Sequence, residues 1–150
     1  FEFLKSRVRG VNVIREYNLG ASKPVDIRIF WKEANRSALI EIKWLGQSIS
    51  NEDTIGTSFT NKRSNEGMSQ IKNYIDLENS DSPSVISKGY LVVIDGRRKN
   101  INKVIKKSIS YDEGFFYYTK ELKIEENKQY WKKFNNIEKP TRIFIEPICD

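Results

Sequence analysis

Two stretches decide how this chain folds: Pro24-Val25-Asp26-Ile27-Arg28-Ile29-Phe30-Trp31 and Leu39-Ile40-Glu41-Ile42-Lys43-Trp44-Leu45. Each alternates with the period of two that belongs to a strand. In the first, Val25, Ile27, Ile29 and Trp31 share one face and Asp26, Arg28 and Phe30 the other. In the second, Ile40, Ile42 and Trp44 oppose Leu39, Glu41, Lys43 and Leu45. Pro24 stands just before the first strand, where its missing N–H does least harm. The connection from Lys32 to Ala38 is short and polar, so the strands are expected to form a hairpin. Centring its turn at Ala34–Asn35 sets Asp26 across from Lys43 and Arg28 across from Glu41, and a slip of two residues keeps the same faces. The Val, Ile and Trp face is expected to make the hairpin interior to the domain, with neighbouring strands on both edges.

On the N-terminal side, Val11 to Leu19 reads as a strand and Gly20 to Pro24 as a turn, while Phe1 to Arg9 reads as the end of a helix stopped by Gly10. Residues 46–65 are polar, rich in Ser, Thr and Asn, and read as a long loop carrying Lys62 and Arg63. Glu66 to Glu78 has helical spacing at Met68, Ile71, Tyr74 or Ile75, and Glu78, and the segment around Pro83 ends it. Gly89 to Asp95 is a near-continuous apolar run, the mark of an interior strand covered on both faces. A strand, helix, strand crossover implies that this strand runs parallel to Leu39–Leu45. Further on, Arg97 to Ser108 reads as a basic helix and Phe115 to Tyr118 as an aromatic strand or lid. Glu125 to Phe134 reads as a second helix and Arg142 to Ile148 as a last strand. The expected fold class is therefore α/β, a mixed central β-sheet flanked by helices.

Composition narrows what such a fold does. A chain of 150 residues, 38% hydrophobic and 12% aromatic, is one domain by length and buries about two-thirds of its unfolded surface. No apolar run approaches the roughly 20 residues of a membrane span. The sequence begins at Phe1 without a Met, so a piece of a longer protein, fused to further domains, is expected. The lone Cys149 has no partner for an internal disulfide, which fits a reducing cytoplasm. The absence of histidine removes Ser-His-Asp and Cys-His hydrolysis, His-rich zinc sites and every nuclease with a histidine base. Carboxylates, lysine and a metal are what remains for catalysis. A net charge of +6 favours polyanionic partners through phosphate neutralisation.

On the hairpin, Asp26, Glu41 and Lys43 share one face. Mg²⁺ accepts a few carboxylates, water and phosphate oxygens in place of a full protein cage, so a pair of acids suits it. Phosphodiester hydrolysis needs a hydroxide-like nucleophile and relief of negative charge on the phosphorane and leaving oxygen. A metal held by Asp26 and Glu41 supplies both, with Lys43 orienting or deprotonating the water. The competing reading of these three residues is a solvated hairpin face with cross-strand ion pairs.

The string Pro24-Val25-Asp26, a hairpin spacer and Glu41-Ile42-Lys43 resembles the PD-(D/E)XK nuclease superfamily, with Val25 inserted between the Pro and the Asp. The resemblance runs from about Val11 to Asp95. It implies a restriction-endonuclease-like core, metal ligation by Asp26, Glu41 and the Ile42 carbonyl, and assistance to the nucleophile by Lys43. Gln70 sits where many members place a Gln near the site. An extra acid from the first helix is common, and Glu2 and Glu16 are the candidates. The resemblance thus implies an Mg²⁺- or Mn²⁺-dependent endonuclease, on DNA rather than RNA, in restriction, repair or phage defence. Such enzymes often act as dimers. Lys62, Arg63, Arg97, Arg98 and Lys99 are the candidate nucleic-acid contacts. The alternative is a non-catalytic binding or scaffold module that keeps the fold.

Overall fold

The computed structural model describes residues 6–7, 10–20, 24–49, 55–97 and 121–145. Among these residues six strands form a mixed sheet: β1 (Asn12–Tyr17), β2 (Val25–Trp31), β3 (Arg36–Ile49), β4 (Ile55–Phe59), β5 (Ile86–Asp95) and β6 (Thr141–Phe144), with one long helix, α1 (Asn61–Asp81), between β4 and β5. The order across the sheet is β1-β2-β3-β5-β6, with β4 paired to the far end of β3. β1, β2 and β3 are antiparallel neighbours, and β5 runs parallel to β3 from Arg36↔Ile86 to Leu45↔Asp95. The expected α/β class, hairpin and parallel crossover are all present. Among the described residues no helix is long and apolar enough to cross a membrane.

The hairpin register differs from the expected one by two residues. Trp31 pairs with Arg36 and Ile27 with Ile40, so Arg28 lies opposite Leu39 instead of Glu41, and the pairing ends before Asp26. The cause is Asn35. It adopts φ 47°, the left-handed conformation that Asn tolerates well, as the last loop residue, and its N–H reaches Lys32 O at 3.3 Å. That centres the turn between Glu33 and Ala34. Its side chain also donates to Ser84 O at 2.7 Å, which ties the hairpin tip to the start of β5.

Residues 46–65 are not the long loop that their polarity suggests. β3 continues to Ile49, and Gly46↔Phe59 and Gln47↔Ser58 pair it with β4. α1 then begins at Asn61, with the Thr60 side chain accepting from Lys62 N as its N-cap. Lys62 and Arg63 are therefore in a first helical turn. The early start was hidden because the first inward residues, Ser64 and Asn65, are polar although buried. Downstream, Glu125 to Phe134 forms two short 3-10 turns, Glu126–Lys128 and Tyr130–Lys132, and not a second helix. The run Glu125-Glu126-Asn127-Lys128-Gln129 has no apolar residue to bury, so an α-helix there gains too little from packing. Arg97 is described, outside any helix; the remainder of the basic segment, the aromatic Phe115–Tyr118 and the end of the chain lie outside the described residues, as does most of the N-terminal stretch.

α1 covers one face of β3 and β5. Met68, Ile71, Tyr74 and Ile75, at helical spacing, meet Leu39, Leu45, Leu91 and Val93 in the principal core, each large side chain contributing about 1.5–3 kcal/mol by burial. The approach is close: a Cβ on Gly67 would come within 2.7 Å of Leu91 and 2.9 Å of the Lys43 stem, and one on Gly89 within 2.5 Å of Ile71. This reverses the expected orientation of the hairpin. The face bearing Glu41 and Lys43 is the covered one, whereas Ile42 and Trp44 are 37% and 41% exposed on the other. β5 is likewise buried chiefly through Ser87, Gly89, Leu91, Val93 and Asp95, with Tyr90, Val92 and Ile94 half-buried, so it is not covered equally on both faces.

Two buried charge clusters lock the layers. Arg28, expected beside Glu41, instead pairs with Glu78 of α1 at 2.5 Å, lies over the Tyr17 and Phe30 rings at 4.5 and 4.9 Å, and shares Glu78 with the Ser37 hydroxyl. Asp95, at the end of β5, is fully buried and accepts from Arg97 and Arg142, with Arg97 also donating to Asn61 Oδ1 at 3.0 Å. Burial alone raises the Asp95 carboxyl, but the hydrogen bonds and charge of Arg97, with Arg142, outweigh it and hold the group below its ordinary value. Removing one partner of such a buried pair strands the other. Glu78→Ala is expected to lower stability by about 3–5 kcal/mol, read as a fall in denaturation midpoint. A loss under about 1 kcal/mol, the range of an exposed pair, would show that the pair does not lock the layers.

Candidate active site

The site forms where β2 and β3 part company. The paired register between them runs no further than Ile27↔Ile40, and beyond it a side chain takes over: Asp26 Oδ2 accepts the Ile42 N–H at 2.7 Å. N–H and C=O of one strand residue point the same way, so the Ile42 carbonyl also lies on the Asp26 side of β3, while its side chain points to the opposite face. Val25, the inserted residue, is fully buried with Leu19 and Leu39 in the principal core. The insertion therefore anchors the start of β2 and turns Asp26 toward Glu41.

Glu41 is 2% exposed and Lys43 8%. Two apart on a strand, they share a face, and Lys43 Nζ donates to Glu41 Oε1 in a tight ion pair. The Tyr74 hydroxyl lies near enough to influence the carboxyl but is directed to Pro24 O at 3.2 Å, and the other carboxylate oxygen, Glu41 Oε2, is buried and accepts no hydrogen bond of ordinary geometry. Such an atom is costly unless something else satisfies it. Burial, the largest influence, pushes the Glu41 carboxyl up from its ordinary value; Lys43 pulls it back without cancelling that, and the charge of Asp26 adds to the rise. Because the folded carboxyl holds its proton more tightly than the unfolded one, this group favours folding at low pH. That contribution is lost as pH rises through the raised value.

α1 supplies the facing wall. A cavity of about 560 Å³ has Pro24, Asp26, Glu41 and Lys43 on the strand side and Arg63, Glu66, Ser69 and Gln70 on the helix side, with Lys128 completing the rim. Gln70 Nε2 donates to the Tyr74 hydroxyl at 3.5 Å, and that hydroxyl donates to Pro24 O at 3.2 Å. The relay ties the helix wall to the residue that starts β2. Tyr74 is 1% exposed. Burial first, then the charge of Glu41, raises its hydroxyl far above the ordinary range, so it stays a neutral donor.

Asp26, Glu41, Lys43 and Gln70 thus meet at one cavity, and Arg63 joins them, its guanidinium over the Phe59 ring at 5.2 Å. Other candidates fall elsewhere. Lys62 is exposed and outside the cavity lining, Arg97 is held by Asp95 and Asn61, and Arg98 and Lys99 lie outside the described residues. Glu16 is exposed on β1 and does not line the cavity, and Glu2 lies outside the described residues. Sequence reasoning missed Glu66, Ser69, Tyr74 and Lys128 as neighbours of the site. The first three were within reach, since they lie within a turn or so of Gln70 on the same helix; Lys128 carried no local signal.

The donor set is one of hard oxygens: the free Glu41 Oε2, the Asp26 carboxylate and the Ile42 carbonyl on its side. Among the described residues no three His, Cys, Asp or Glu side chains gather into a closed metal cage. Two carboxylates with open positions suit a cation that retains water and takes substrate oxygens, as Mg²⁺ does. Comparison with family models, curated proteins and solved structures finds no match to this chain.

One titration checks the electrostatics. Carbon-detected NMR should find the Glu41 carboxyl above its ordinary value of 4.5, and Lys43→Ala should move it further up, because the opposing ammonium is gone. An unchanged or lower value in the variant would rule out the pairing.

Proposed function

We propose that this protein is a metal-dependent endonuclease of the PD-(D/E)XK kind, cutting phosphodiester bonds in DNA, with Mg²⁺ or Mn²⁺ as cofactor. The observation that carries the reading is the unpartnered, buried Glu41 Oε2 beside Asp26, at a cavity that Lys43 and Gln70 also line. A protein gains nothing in stability by burying a bare carboxylate oxygen, so a ligand that satisfies it is the simplest explanation. The antiparallel hairpin, helix and parallel strand follow in the order that the resemblance implies. The basic net charge fits a polyanionic substrate, and a cytoplasmic setting agrees with the single cysteine.

The chain's own residues divide the work. Asp26 and Glu41, with the Ile42 carbonyl, hold the cation, which when bound supplies electrophilic relief of phosphate charge and a more acidic water. Asp26 keeps its carboxylate in place through the Ile42 N–H. Lys43, paired with Glu41 in the resting site and lining the same cavity, orients the attacking water and shields developing charge. Gln70 holds substrate or water from the helix wall, and its relay through Tyr74 to Pro24 fixes the spacing of the two walls.

A second reading is a basic binding module in which the acids are structural, and the Glu41–Lys43 ion pair favours it. One assay separates them. Plasmid and oligonucleotide DNA should be nicked or cut with Mg²⁺ or Mn²⁺ and left intact in chelator. Asp26→Asn and Glu41→Gln should lose metal affinity and cleavage together. Lys43→Ala should bind metal at least as tightly while cleavage falls by roughly two to three orders of magnitude. Cleavage by Lys43→Ala at the parental rate, or no cleavage of single-strand, duplex or RNA substrates under any metal, would overturn the enzyme reading.

A further inference from the structure

Asn65 is a polar side chain buried to 5% exposure, and every group it owns is in use. Its Nδ2 donates to Asn61 O at 3.0 Å and to Lys123 O at 3.5 Å, and its Oδ1 accepts Glu125 N at 2.9 Å. Two of these three bonds leave α1 for a segment nearly sixty residues away in sequence. Leu122, Ile124, Tyr130 and Trp131 of that segment pack against the principal core. The 3-10 turn closes on itself through Lys128 N to Glu125 O at 2.9 Å, and Gln129 Nε2 braces it on Ile124 O at 3.0 Å. The net effect is to deliver one cation, Lys128, to the rim of the cavity that holds Asp26 and Glu41.

Arg63 stands on the same cavity from the first turn of α1, propped on Phe59. The lining thus contains three carboxylates, Asp26, Glu41 and Glu66, and three cations, Lys43, Arg63 and Lys128. Lys43 is engaged with Glu41 in the buried floor, whereas Arg63 is exposed and the Lys128 side chain is 27% exposed and, among the described residues, pairs with the half-exposed Glu125 carboxylate at 2.9 Å. A surface pair of that kind is weak and exchanges readily for another anion.

We propose that Lys128, latched over the site by Asn65, and Arg63 on α1 form a two-point grip on the DNA strand, each taking a phosphate that flanks the scissile one. This rests on the nuclease reading of the same cavity. The phosphate backbone supplies charge at regular spacing, and a grip on either side of the reacting phosphate orients it while leaving sequence unread. Lys128 exchanges Glu125 for phosphate when the strand enters. Asn65 is a positioning residue, acting only through the turn that it holds.

The test is binding of a labelled DNA duplex in chelator, where affinity is read without turnover, across a range of salt. Lys128→Gln should flatten the slope of log Kd against log salt by about one unit, Lys128→Arg should restore it, and Glu125→Gln should keep the slope and tighten binding. Asn65→Ala should lose the same increment as Lys128→Gln, and the double variant no more than either. Cleavage with Mg²⁺ is measured beside it on the parent protein. A parental slope in Lys128→Gln, from a parent that binds and cleaves DNA, overturns the grip and leaves the nuclease standing. A flattened slope in a protein that never cleaves leaves the grip and removes the nuclease. Loss of slope seen with RNA and not with DNA overturns the assignment of the strand.

Discussion

Everything at this site depends on how closely α1 lies against β3 and β5. Gly67 rests over the Lys43 stem and Leu91, and Gly89 rests under Ile71 and Ile75, at separations that no side chain permits without displacement. That contact excludes water from the face carrying Glu41 and Lys43. A carboxylate and an ammonium that would be an exposed hairpin ion pair, worth well under about 1 kcal/mol, become a buried pair with one oxygen left unmatched. Desolvation then decides the character of Glu41, and it outweighs the attraction of the adjacent lysine. The same helix brings Gln70 and Tyr74 to the cavity and, through Asn65, recruits a distant turn.

The molecule uses its buried charge in two different ways. Asp95 with Arg97 and Arg142 is a closed network in which both carboxylate oxygens accept, and it ties β5 to β6, while Arg28 and Ser37 meet Glu78 Oε1 and tie the helix to the hairpin. Glu41 belongs to a pair that remains open. The contrast is internal to one domain, in similar surroundings, so burial as such does not account for it. Stability optimised throughout would have completed the Glu41 shell as it completed that of Asp95; leaving it open is the pattern expected where a ligand finishes the site.

The hairpin and the crossover were legible because period-two alternation and a long apolar run are local signals. Glu41 and Lys43 share a face by alternation alone, but Asp26 reaches their cavity past the end of the paired register, where Val25 leaves the side of Ile27 and Ile29 for the principal core and Asp26 accepts the Ile42 N–H. Which face is the core was not legible. Leu39 and Leu45 flank Glu41 and Lys43 on one side while Ile40, Ile42 and Trp44 occupy the other, and only the helix laid across the first settles the matter. β4 was invisible because a short strand off the main path of the sheet needs little apolar content, and the start of α1 because its inward Ser64 and Asn65 are polar. The partner of Arg28 could not be found by pairing strands, since it lies on the helix. Lys128 reaches the rim through tertiary hydrogen bonds that no local pattern announces.

Whether Asp26 and Glu41 hold a divalent cation at this cavity can be read by adding Mn²⁺ to the isotope-labelled protein and following amide line broadening, which falls off steeply with distance from the paramagnetic ion. Sub-stoichiometric Mn²⁺ should broaden the amides of Asp26, Ile42 and Gln70 first, excess Mg²⁺ should reverse the effect, and Glu41→Gln should abolish it. Broadening centred instead on an exposed acid such as Asp76, or an unchanged pattern in Glu41→Gln, would place the cation elsewhere and refute the site.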